Sequence, residues 1–307
     1  MILDPICEST RREVLRLRAR IPVEALRARA KSAPPARDFA RAISGPPLNL
    51  IAEIKKASPS AGLLRTRLTP ARIARAYRDA GASAVSVVTE RSHFRGDPAW
   101  IPAVRKASGL PVLMKDFFLD PWQIVRARAL GADAILLIVR ILAPRDLKAM
   151  LALSRDLGME PLVECHEASE VREARRAGAR IVGVNCRDLD TLDVDLSRSL
   201  RMARLLDNLE PVPGWLLTIC QSAGPATPGS FLCLRFDIVK LLWNNDLTIM
   251  KADRTRRSWW YGTCKGRGIH TQEIGASPTN RRLPRRPRCA RPPPPRASRR
   301  RAARRPV

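Results

Sequence analysis

Aromatic residues make up only 5% of this 307-residue chain, and long apolar runs are missing. The longest, residues 132–139, is broken by Asp133, far short of the roughly 20 apolar residues that cross a membrane. No charged leader followed by an apolar stretch opens the chain, so no secretory signal is expected. The seven cysteines are scattered and form no CxxC pair. Neither a zinc ribbon nor a disulfide framework is supported, and reduced, buried thiols in a cytoplasmic protein are the expectation. A G-x-G-x-x-G turn is also lacking: after the first strand-like run the sequence reads KKASPSAG (55–62), which weakens a dinucleotide-binding reading. Acidic residues are scarce, 29 against 56 Lys plus Arg, for a net charge of +27.

The charge is unevenly distributed. Residues 208–307 hold 20 basic and 5 acidic residues, whereas residues 1–207 hold 36 and 24. The body thus has a mixed surface with a basic lean suited to an anionic substrate, and the last third is a different kind of sequence. At 45% hydrophobic residues, the chain has ample material for a large core.

Within residues 48–206 one unit recurs: an apolar run with β-branched residues, a turn, an amphipathic stretch, then a glycine. The runs are residues 48–54, 84–89, 111–115, 134–138, 160–164 and 180–185. Gly81, Gly109, Gly131, Gly158 and Gly178 precede the later runs, where left-handed helix C-caps belong. Asp97-Pro98 and Asp120-Pro121 place an N-cap acid before a proline at the first helical position. Strands alternating with helices pair in parallel, since each crossover returns the chain in the same direction. A doubly wound sheet and a (β/α)8 barrel both fit; six successive regular units favour the barrel.

The organisation expected is therefore α/β. Residues 1–47 form a helical extension with helices over 8–19 and 22–31, capping the bottom or mouth of the barrel. Residues 48–206 form six βα units, with strands seven and eight missing or replaced. Residues 207–280 are an atypical segment. Residues 281–307, with twelve Arg, seven Pro and no acid, form a disordered tail.

Barrel active sites lie at the C-terminal ends of the strands. Those ends offer Glu53 and Lys55, Thr89 and Glu90, Lys115, Glu164, and Asn185 with Arg187. A charged group at the end of an apolar strand is costly unless paired or used. Lys55 beside Lys56, taken alone, reads as an ordinary basic strand end. Two lysines and two glutamates converging on one rim, however, are equipment for acid–base work on an anionic substrate. His93 and His166 read as surface residues, Phe118 as core, and Glu90 as an anchor for the loop after the second strand.

These segments resemble the indole-3-glycerol phosphate synthase family. The matching motifs are MILD (1–4), IAEIKKASPS (51–60), TE (89–90) with FRG (94–96), LMKDF (113–117), LLIV (136–139), PLVE (161–164) and GVNCRDL (183–189). The resemblance runs from residue 1 to about 206. It implies a (β/α)8 lyase of tryptophan biosynthesis that uses no metal or organic cofactor. The reaction implied is ring closure, decarboxylation and dehydration of 1-(2-carboxyphenylamino)-1-deoxyribulose 5-phosphate. Lys115 would protonate the ketone oxygen; Glu164 and Glu53 would move later protons and stabilise the cationic ring. Lys55 would hold the carboxylate or phosphate and donate a proton during dehydration, and Asn185 would orient the anthranilate side. Arg187, Ser58 and Ser60 would support them, while Phe94, Phe117, Leu136 and Leu189 would wall the aromatic ring. A phosphorylated small molecule and other tryptophan-pathway enzymes are the partners implied. Reliance on Lys55/Lys115 with Glu53/Glu164 separates this reading from the preceding isomerase, for which a Cys/Asp pair is expected.

Cys186 stands where the family pattern leads one to expect a small polar residue. The signatures of the family's seventh and eighth strands are not recognisable after residue 206; the nearest trace is GIHT (268–271). An abrupt change to Arg/Pro/Ala-rich sequence is what a shifted frame in a GC-rich gene produces. Six strands without successors leave the first and sixth with open edges. The alternative function is an inactive synthase-derived protein with a nucleic-acid-binding tail, since nucleic acid is otherwise expected as a partner only through non-specific contact with those arginines.

Overall fold

The computed structural model describes residues 3–44, 49–59, 62–64 and 66–185, and the strand backbone of 215–220, 231–234, 238–243, 246–253, 258–265 and 268–276. Three helices come first: α1 (Leu3–Arg18), α2 (Val23–Ser32) and α3 (Phe39–Ala42). Strand β1 (Asn49–Ile54) leads into a small hairpin, β2 (Ala57–Ser58) with β3 (Gly62–Leu63). Alternation follows: α4 (Pro70–Asp79), β4 (Ala84–Val88), α5 (Trp100–Ser108), β5 (Val112–Lys115), α6 (Pro121–Ala129) and β6 (Ala134–Ile138). After a 3-10 turn (Val139–Ile141) come α7 (Pro144–Asp156), β7 (Leu162–Cys165), α8 (Ala168–Arg176) and β8 (Ile181–Asn185).

Strands β1, β4, β5, β6, β7 and β8 pair in parallel in that order, as the six repeated units require. Strands β4, β6, β7 and β8 are buried along their whole length, and β1 and β5 at every residue but Leu50 and Lys115. The inner core joins Ile51, Ala84, Leu113, Ala134, Leu136, Leu162 and Ile181, while a larger shell fills the space between strands and helices. The five C-cap glycines all take positive φ, between 71° and 90°. Asp120 caps α6 as expected: its carboxylate accepts from Trp122 N at 2.8 Å, and Gln123 Oε1 accepts from Asp120 N at 3.0 Å. Asp97 does not open α5. Its carboxylate accepts from Ala99 N at 3.0 Å and its carbonyl from Trp100 N at 3.0 Å, so the Asp-Pro pair forms a turn ahead of the helix.

The expectation of open edges on the first and sixth strands is overturned. Strand β9 (Trp215–Cys220) adds parallel to β8, and β10 (Phe231–Leu234) pairs antiparallel with both β9 and β1, closing an eight-stranded barrel. Strands seven and eight of the family pattern are thus replaced by two adjacent antiparallel strands. The physical reason is that unpaired donors and acceptors on a strand edge are costly, and the apolar runs WLLTIC and FLCL satisfy them. Strands β11 (Ile238–Trp243), β12 (Asp246–Asp253), β13 (Ser258–Lys265) and β14 (Gly268–Ala276) form a separate antiparallel sheet in sequence order. The end of the sixth unit, residues 186–206, and the tail over 281–307 lie outside the described residues.

The N-terminal cap divides its work. Phe39 and Ile43, at and just after α3, enter the inner core and plug the end where the strands begin. Helices α1 and α2 instead lie outside against α6, through Val14, Leu26, Trp122 and Val125. Buried Asp133 ties the plug to the barrel: it accepts from Arg37 N at 2.8 Å, Val112 N at 2.9 Å and Arg105 Nε at 3.1 Å. Among the described residues, no helix is long and apolar enough to cross a membrane.

Candidate active site

The opposite end of the barrel, where the strands finish, gathers the charged groups. Side chains two residues apart on a strand share a face, so β1 delivers Glu53 and, just past its end, Lys55 to one place. Lys115, the last residue of β5, donates to Glu53 Oε2 at 2.7 Å, and Lys55 Nζ lies 3.2 Å from Glu53 Oε1. Burial pushes the Glu53 carboxyl up, but the two ammonium groups outweigh it and hold it at about 2.

Glu164 on β7 and Asn185 on β8 meet next to this trio, Asn185 Nδ2 donating to Glu164 Oε1 at 3.1 Å. Burial raises the Glu164 carboxyl; His166, Lys115 and Asn185 together bring it below its ordinary value. Its second oxygen, Oε2, is buried and accepts no hydrogen bond among the described residues.

His166 is not a surface residue. It is 1% exposed, with Nε2 at 3.3 Å from Glu164 Oε1 and Nδ1 at 3.5 Å from Glu170 Oε2. The PLVE motif does not reveal its burial, because Glu170 belongs to the helix after the strand. A signal was available: a histidine two residues after a strand-end glutamate and four before another.

The loop after β4 builds one wall. As expected, Glu90 anchors it, accepting backbone N–H groups of Ser92, His93 and Phe94 at 2.8–2.9 Å. Gly96 then passes so close that a Cβ there would stand 2.4 Å from the Val88 carbonyl oxygen. The turn holds Phe94 with its ring centroid 6.1 Å from that of Phe117. Phe117 packs on the inner core that includes Leu136, itself 2% exposed and therefore beneath the rim. Phe118 is core. The Phe94 carbonyl accepts from Ala57 N at 3.1 Å, joining this wall to the β2–β3 hairpin that carries buried Ser58. Ser60, Arg187, Leu189 and Cys186 lie outside the described residues.

A further carboxyl beside the site comes from Asp116. Burial lifts it to about 6 although Thr89 Oγ1 donates to it at 2.5 Å and Phe117 N at 2.9 Å. Among the described residues, no cluster of His, Cys, Asp and Glu has the arrangement of a metal site. The constellation is a wet-chemistry acid–base set: one carboxylate between two ammonium groups, and a second carboxylate with one oxygen uncommitted.

The sequence profile described as indole-3-glycerol phosphate synthase matches residues 3–212. Curated proteins of that name are similar to the chain over the same region. The one from Roseiflexus castenholzii is 47% identical over 212 residues, covering 67% of this chain and 79% of the relative. That from Campylobacter curvus is 44% identical, covering 68% and 81%. That from Mycobacterium avium is 47% identical over 202 residues, covering 66% and 74%.

Proposed function

This chain belongs to the indole-3-glycerol phosphate synthase family, and from that premise we propose that it is a carbon–carbon lyase of tryptophan biosynthesis acting on 1-(2-carboxyphenylamino)-1-deoxyribulose 5-phosphate. The ring carbon bearing the carboxylate attacks the ketone carbon and a carbon–carbon bond forms. The carboxylate then leaves as carbon dioxide, and the hydroxyl left on the former ketone carbon leaves as water.

The observation that carries this reading is Glu53 held between Lys115 and Lys55 at 2.7 and 3.2 Å on a buried rim. An ammonium has three donors, so Lys115 can keep Glu53 and still protonate the ketone oxygen as the ring carbon attacks. Lys55 meets the substrate carboxylate or phosphate and supplies the proton for dehydration. Decarboxylation is eased when the carboxylate leaves water for an apolar wall beside a placed cation; Phe94 and Phe117 give that wall. Glu164 takes, through its uncommitted oxygen, the proton that the methylene carbon beside the former ketone carbon loses as water leaves, and Asn185 sets the anthranilate edge, with Ser58, Ser60, Leu136, Arg187 and Leu189 in support. The phosphorylated substrate is the partner this chemistry requires. The nucleic-acid alternative rests on residues 281–307, and the family match gives it no support.

The test is turnover of the carboxyphenylamino-deoxyribulose phosphate by the purified full chain, read by the fluorescence of the indole formed. The expected result is a signal that Lys115→Ala abolishes. A folded chain that gives no signal overturns the activity.

A further inference from the structure

We propose that His166 is a positioning residue that acts through Glu164: held between two buried carboxylates as an imidazolium, it pins one Glu164 oxygen and leaves the other as the site's proton acceptor. The inference rests on the reading of Glu164 as a proton-transfer group.

Four side chains form a line leading away from the barrel axis. Glu164 Oε1 lies 3.3 Å from His166 Nε2; His166 Nδ1 lies 3.5 Å from Glu170 Oε2; Arg140 Nε donates to Glu170 Oε1 at 2.8 Å. The line is tied to the backbone as well, since His166 N donates to Glu170 Oε2 at 2.6 Å. Arg140 is fixed in turn by Glu167 at 2.5 Å. The 3-10 turn after β6, the end of β7 and the first turn of α8 thus each supply one part of it.

The protonation state follows from donor counting. A neutral imidazole has one N–H and one acceptor nitrogen, and an acceptor facing a carboxylate is repelled. With a carboxylate opposite each nitrogen and 1% exposure, two N–H groups are needed. Burial alone would lower the ring's affinity for its second proton, but Glu164 and Glu170 raise it to about 9. The groups facing this part of the site are Glu164 and Lys115 from the barrel, Asn185 from β8, Glu170 from α8 and Arg140 from the turn. The balance around the ring is two carboxylates against the more remote Lys115 and Arg140.

The consequence lies at Glu164. Oε1 accepts from Asn185 and faces the His166 ring at 3.3 Å, an ion-pair contact in which neither ring nitrogen makes a hydrogen bond among the described residues, so the charge of the carboxylate is retained on that side. Oε2 is the oxygen that receives no hydrogen bond among the described residues. A buried carboxylate without this support would drift towards the protonated form, which is too weak a base to take the proton lost in the dehydration.

Two variants test the device in the full chain. His166→Gln keeps a donor near the Nε2 position without the charge, and His166→Asn keeps one only near Nδ1. Both are expected to lower kcat, by about tenfold to a hundredfold for a displaced catalytic carboxylate, with KM little changed. Both should also move the acid limb of the kcat–pH profile upward, because Glu164 loses its cation. Independently of turnover, proton NMR should show the His166 ring still protonated at neutral pH and titrating near 9, assignable against His93 and His270 through the variants. Unchanged kcat and acid limb in both variants, or a ring that titrates at or below its ordinary 6.5, overturns the inference. Full turnover in Glu164→Gln would instead sink the underlying reading of Glu164, so the two failures are distinguishable.

Discussion

The Lys115 ammonium lies 2.7 Å from Glu53 Oε2 across the barrel rim, and neither group is free to move away without leaving the other buried. Their side chains are 17% and 6% exposed, and Lys55, on the other oxygen, is 8% exposed. The carboxylate therefore keeps two like charges in one small space. Glu53→Gln removes the anion and leaves both ammonium groups. Breaking a buried pair this way costs about 3 kcal/mol, and kcat should fall by about a hundredfold or more if Glu53 shuttles protons. Urea unfolding reads the first and indole fluorescence the second. A variant as stable and as fast as the parent would show that the trio is ornamental. The acid behaviour has a definite sign. Glu53 is held at about 2 against an ordinary 4.5, so its stabilising share is complete above 4.5 and is lost as the pH falls through 2.

Asp133 does for the far end of the barrel what Glu53 does for the rim. It is 0% exposed and collects Arg105, Arg37 N and Val112 N. Asp133→Ala leaves the Arg105 guanidinium and two backbone donors without their acceptor, a loss of about 3–5 kcal/mol. The expected outcome is a lower urea midpoint with the same kcat in the folded fraction, since the substitution is at the opposite end from Glu53. A midpoint within error of the parent would mean that water replaces the carboxylate.

Gly96 is a position where the backbone itself forbids a side chain. A Cβ would meet the carbonyl oxygens of Val88 at 2.4 Å and Glu90 at 2.8 Å, both main-chain atoms that cannot swing aside. Gly96→Ala must therefore displace the loop that holds Phe94 against Phe117. Strain of about 1–3 kcal/mol is expected, with KM raised more than kcat is lowered because the wall, rather than the proton donors, has moved. An unchanged KM would separate this loop from substrate contact.

Much of the site is legible directly, because its residues stand at the ends of apolar runs that are plain in one dimension: Lys115, Glu164 and Asn185 each close such a run, and Glu53 stands one residue before the end of another. What escaped was held together across long stretches of chain. Asp133 was conspicuous as the one charge in an apolar run, but its partners Arg37 and Arg105 sit 96 and 28 residues away. His166 reads as surface in one dimension because its partners Glu170 and Arg140 come from two other elements. The closing strands β9 and β10 pair antiparallel with each other, so the strand–helix alternation that marks the first six does not mark them.

Asp116 gives a pH dependence of opposite sign to that of Glu53. Burial raises it from 3.8 to about 6, so the folded chain binds its proton more tightly than the unfolded one. The stability this adds is present at low pH and is lost as the pH rises through about 6. Asp116→Asn should abolish that change, so the difference in unfolding free energy between parent and variant should slope between 3.8 and 6 and be flat above. A difference that is level across the whole window would show that the carboxyl ionises in the folded chain as easily as in water.

The last relationship concerns the edges of the barrel. Strand β8 pairs with β9 through Ile181 to Asn185, and β1 pairs with β10 through Asn49 to Ala52. A chain cut after residue 212, where the family match ends, keeps every rim residue discussed above but loses both partners. Its exposed ladders offer unpaired donors and acceptors to neighbouring molecules. Light scattering after size-exclusion should show concentration-dependent association of the truncated chain and none of the full chain at matched concentration. A truncated chain that stays monomeric and unfolds cooperatively would mean that the six parallel units close their edges without β9 and β10, and that the sequence after residue 212 contributes nothing to the barrel.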